Sequence, residues 1–72
     1  MTVIWGFTGR ADQESMTVAR IAANQMESLG DSSLTDAVVD AVVEYLAAQG
    51  DASWDRKAVR AVLDNCAFTT EV

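Results

Sequence analysis

Residues 33–50 read Ser-Leu-Thr-Asp-Ala-Val-Val-Asp-Ala-Val-Val-Glu-Tyr-Leu-Ala-Ala-Gln-Gly, and how this stretch is read decides the fold. Valine favours strands, because branching at Cβ restricts χ1 in a helix. The acidic residues argue the other way. Asp36, Asp40 and Glu44 recur at steps of four and form one ridge on a helix, whereas in a strand all three would share a face with half of the valines. Ser33 followed three residues later by Asp36 is a variant capping box, and Gly50 is a natural stop. A helix over about 34–49 is therefore expected. Its apolar arc, built from Leu34, Val38, Val39, Val42, Val43, Tyr45, Leu46 and four alanines, spans roughly two-thirds of the circumference, wider than one core face requires. Two explanations fit that excess: a central helix covered on several sides, which would make it the core of the packing, or a helix packed partly across a two-fold axis in a homodimer.

Two further helices flank this one. Residues from about Asp12 to Leu29 carry carboxylates in the first turn, a stripe of Met16, Ala19, Ala23 and Met26 widened by Val18, Ala22 and Leu29, and Gly30 at the end. Residues from about Trp54 to Ala67 place Trp54, Ala58, Val62 and Cys66 in one row, with Ser53 or Asp51 as the cap. Before the helices, Val3, Trp5 and Phe7 alternate with Thr2, Ile4 and Gly6 in a strand pattern. A lone strand leaves backbone donors unpaired. The tail Phe68–Val72 also alternates and is the candidate partner within the chain. The expected fold is mainly α: a compact three-helix domain with a short N-terminal β-strand, paired with a C-terminal strand in a β-α-α-α-β order.

Length and composition bound the rest. At 72 residues the chain is one domain, and such a domain buries only about 60% of its unfolded surface. Its single cysteine cannot form an intrachain disulfide, and without histidine that thiol cannot build a zinc site. Good helix packing or association must supply what those staples would have supplied. No apolar run has the length of a membrane span, and the first seven residues lack a basic n-region. One free thiol and no targeting signal suggest the reducing cytoplasm.

Candidate functional residues fall into two groups. The ridge of Asp36, Asp40 and Glu44 has no lysine or arginine on its own helix, and like charges at i, i+4 repel. It is either a solvated face or a contact surface for a basic partner, with Tyr45 and the neighbouring apolar residues supplying buried contact. Magnesium would need further ligands, usually phosphates, so no metal is assigned. Arg56, Lys57 and Arg60 hold most of the positive charge on the third helix and give it the outline of a helix-turn-helix reader of DNA. Asp51, Asp55 and Asp64 beside them, and a formal charge of −6, disfavour that role; pairing with the acidic ridge is the preferred explanation. Cys66 has no histidine to activate it, and no glycine-rich phosphate loop is present, so no catalytic residue and no cofactor are assigned. These omissions, with the acidity, lead to an expected non-enzymatic protein that binds and regulates or inhibits another macromolecule, in the manner of phage-encoded inhibitors or toxin antidotes. The alternative is a DNA-binding transcription regulator using the third helix.

Overall fold

A computed structural model describes residues 1–71. The chain runs β1 (Thr2–Phe7), α1 (Gln13–Leu29), α2 (Asp36–Ala48), α3 (Arg56–Leu63) and β2 (Cys66–Glu71). This is the β-α-α-α-β order that the alternating ends and the three periodic segments imply. β1 and β2 form a two-stranded antiparallel sheet in the register Thr2 opposite Glu71, Ile4 opposite Thr69 and Phe7 opposite Cys66. Val72, the last residue of the expected tail strand, lies outside the described residues.

Local chemistry sets the boundaries. Each helix opens on a side chain that accepts one of the unpaired N–H groups of its first turn. Asp12 accepts from Ser15 N–H at 2.7 Å, Thr35 from Val38 N–H at 3.3 Å, and Asp55 from Ala58 N–H at 2.7 Å. Two of these caps differ from expectation. Thr35 replaces Ser33, because its hydroxyl also donates to Asp31 at 3.2 Å and so braces the loop before α2. Asp55 replaces Ser53 and Asp51, because the Asp51 carboxylate is already taken by the Ser53 hydroxyl at 2.6 Å and the Trp54 indole Nε1–H at 2.9 Å. Both long helices end at a left-handed glycine. Gly30 (φ 72°) and Gly50 (φ 91°) let the next residue's N–H reach back, Asp31 to Met26 C=O at 3.0 Å and Asp51 to Leu46 C=O at 2.9 Å.

The Asp12 cap makes a pH-dependent contribution. Hydrogen bonds from the Ser15 backbone N–H, then from its side chain, hold the Asp12 carboxyl below its ordinary value of 3.8. A folded-state value below the unfolded one stabilises the fold above the unfolded value and loses that effect as pH falls through the folded one. Asp12→Ala should therefore lower the melting temperature at neutral pH, and its difference from the parent should shrink below pH 3.8. Thermal melts of both proteins across that range check the sign; a constant difference would refute it.

The third helix is shorter than its apolar row suggests. It stops at Leu63, and Cys66 lies in β2 rather than on a helical face. At Asn65 the carbonyl accepts the Thr8 N–H at 3.1 Å, which starts the sheet ladder and draws the chain out of the helix. Cys66, Phe68 and Thr70 then sit opposite Phe7, Trp5 and Val3 on the helix-facing side of the sheet. Trp5 and Phe7 meet edge to face at 6.1 Å.

The core also has a different centre from the one expected. α1 packs against β1, α2 and α3, whereas α2 packs on α1 and α3. Ala19, Ala22 and Ala23 on α1 are fully buried or nearly so, and their small side chains let neighbouring elements come close. Ile21 and Met26 join them inside, while Met16 and Leu29, expected on the buried stripe, are 37% and 49% exposed. On α2 only Val38, Val39, Val42 and Leu46 are buried, with Val43 half-buried. The wide apolar arc thus divides into one core face and an outward face of alanines and Tyr45.

Candidate functional site: the charged face of the second and third helices

The acidic ridge of α2 faces α3. Arg56 Nη2 lies 2.7 Å from Asp40 Oδ1, and Arg60 pairs with Asp36. The steps of four that align the carboxylates also align the two arginines, so consecutive turns of the two helices are cross-linked twice. The ridge, unrelieved within its own helix, is therefore relieved from the next. All four side chains remain between 40% and 75% exposed, so each pair contributes about 0.2–1 kcal/mol, and less at high salt. Their value is more in fixing how α3 sits against α2 than in stability.

Not all the predicted residues come together. Glu44 and Lys57 have no ion pair among the described residues, and both are exposed. At about 100° per residue, Asp36 and Asp40 mark one margin of the outward face of α2 and Tyr45 the other, with Ala37, Glu44 and Ala48 between them. Tyr45 is 43% exposed and borders a groove of about 470 Å³ between α1 and α2, floored by Ile21 and Leu46 and edged by Arg20, Asn24 and Gln49. Arg20 and Asn24 are not among the residues singled out from the sequence. Their recurrence at i, i+4, matched by Tyr45 and Gln49 on α2, is the signal that pairs them across a groove.

The rest of the acidity is mostly committed to the fold. Asp12 and Asp55 cap helices, Asp31 and Asp51 brace loops, and Glu27 accepts the Val3 N–H at 3.4 Å. With Asp36 and Asp40 in ion pairs, only Glu14, Glu44, Asp64 and Glu71 have no such role among the described residues.

Arg56, Lys57 and Arg60 line a shallow depression of about 500 Å³ on the outer side of α3, together with Ala61 and Asp64. A DNA reader would need these cations for phosphates and base edges. Two of the three are already neutralised by carboxylates, and a third carboxylate lies beside them.

No described polar or charged side chain is buried, and no cluster of three metal-ligating groups occurs among the described residues. Burial pushes the Cys66 thiol up, against a smaller opposing effect of the Gly6 backbone, so thiolate is scarce at neutral pH. Among the described residues no helix is long and apolar enough to cross a membrane. No protein-family model, curated protein or solved structure matches the chain.

Proposed function

We propose that the chain is a non-enzymatic protein that binds another protein and regulates or inhibits it by occupying its surface, through the outward face of α2. One observation carries this reading. That face exposes Ala37 and Ala48 beside Glu44, with Tyr45 at one margin and Asp36 and Asp40, held by Arg60 and Arg56, at the other. Short side chains lose little entropy when covered, and an exposed tyrosine is a typical anchor in interface centres. The unpaired Glu44 on that face and the overall charge of −6 favour a partner with a basic surface and speed its approach. A reducing compartment such as the cytoplasm suits the free Cys66 thiol.

The test is affinity capture from the organism that encodes the chain, followed by measurement of the captured protein's affinity as salt is raised. Replacing the ridge by amides (D36N/D40N/E44Q) is expected to weaken binding about tenfold at low salt, equivalent to about 1.4 kcal/mol, and to flatten the salt dependence. Unchanged affinity with an unchanged salt slope overturns the proposal. Duplex DNA supplies the competing outcome: tight binding at low salt that Arg56→Ala and Arg60→Ala abolish would make α3 a DNA reader instead.

Self-association is a separate proposal. Of the apolar residues of α2, Val38, Val39, Val42 and Leu46 are buried within the chain, while Tyr45 stays exposed.

A further inference from the structure

The two-stranded sheet has two open edges, and they are not equivalent. Thr8 N–H donates to Asn65 C=O at 3.1 Å, which makes Thr8 and Asn65 a hydrogen-bonded pair. Antiparallel ladders alternate, so Gly6 with Ala67, Ile4 with Thr69 and Thr2 with Glu71 are the other hydrogen-bonded pairs. It follows that Val3, Trp5 and Phe7 on β1, and Cys66, Phe68 and Thr70 on β2, point their N–H and C=O groups away from the sheet. On β1 this edge is partly closed, since the outward Val3 N–H is met by the Glu27 carboxylate. On β2 no described side chain meets the outward groups. Neither edge is protected by lysine, proline or a bulge, the usual devices against strand addition.

We propose that β2 pairs antiparallel with β2 of a second copy about a two-fold axis at Phe68, giving a continuous four-stranded sheet. Charge permits a second copy at this edge. Two chains of net charge −6 repel, and α2 would bring carboxylate against carboxylate. β1 and β2 together carry one charge, Glu71. In the register centred on Phe68, Glu71 falls opposite Asn65 of the other copy, an amide that can donate to it. Cys66 falls opposite Thr70, and Ala67 opposite Thr69. Pairing through β1 would instead have to displace the Glu27 carboxylate from the Val3 N–H. Centring on Phe68 also lets every outward residue of β2 find a partner, which a register slipped by two residues does not.

The surface is independent of the α2 face, so its test needs no other protein. Sedimentation equilibrium of the wild-type chain at micromolar to millimolar concentration should show association to twice the 7.7 kDa monomer mass. A67K/T69K places lysines on the exposed face of the sheet, each opposite a lysine of the other copy, and should return the protein to monomer with an unchanged circular dichroism spectrum. D36N/D40N/E44Q should leave the dimer intact. Hydrogen exchange of the wild type gives a readout that depends on no variant: the Cys66, Phe68 and Thr70 amides should be protected at high concentration and exchange readily on dilution. A wild-type chain that stays monomeric, a dimer that survives A67K/T69K, or outward amides whose exchange ignores concentration would each overturn the proposal.

Discussion

Met26→Ala should shift the urea midpoint of unfolding well below that of the parent protein. Met26 is fully buried near the end of α1 and is among the largest of the fully buried side chains. Truncating a buried methionine removes its transfer free energy and leaves a cavity that neighbours fill only in part, at a cost of about 2–5 kcal/mol. Domains are stable by about 0.05–0.15 kcal/mol per residue, which for this length is of the order of 4–11 kcal/mol. The loss therefore takes up half or more of the total if stability lies near the lower bound. Neither a disulfide nor a buried ion pair is present among the described residues to hold the remainder together. Urea titration followed by circular dichroism checks this. A midpoint within error of the parent would show that the α1 core is not the centre of the molecule.

Ala22→Leu should destabilise by about 1–3 kcal/mol, although it adds apolar volume to an apolar site. Ala22 has no exposed surface, and it belongs to the helix against which β1, α2 and α3 all pack. The inserted side chain has no void to enter, so it must push a neighbouring element outward or adopt a strained rotamer. The same substitution at Ala48, on the outward face of α2, is the control and should change stability little. Chemical denaturation of the pair separates the two sites. Equal stabilities would mean that α1 does not pack its neighbours as closely as its alanines allow.

These two residues also show what could be read from the sequence and what could not. The strand alternation around Trp5 and the repeats of four in all three helices are local patterns, and they survive folding with boundaries displaced by a few residues. The choice of Thr35 over Ser33 as a cap turns on whether Asp31 is free to brace it, which is a loop property. Cys66 continued the spacing of Trp54, Ala58 and Val62 and so read as helical. Pairing with β1 outweighed that spacing, because strand formation depends on a partner far away in the chain. Size misled in a different way: the larger valines drew attention to α2, while the alanines that make α1 central are conspicuous only once close approach matters. The ridge itself was legible residue by residue. That Arg56 and Arg60 would meet it depends on how α2 and α3 are oriented, which periodicity within either helix does not encode.

The sheet joins the two ends of the described chain. Its inner partners, Thr8 and Asn65, stand 57 residues apart. While the chain is being synthesised, the first strand has no complement until the last one leaves the ribosome, and its Trp5 and Phe7 wait uncovered on one side. The three helices can begin to assemble earlier, because all their mutual contacts can form before the last strand emerges. Closing the sheet is then a late event that spans nearly the whole chain and carries the entropy of closing so long a loop. The same closure sets Thr2 and Glu71, at the outer ends of the two strands, side by side.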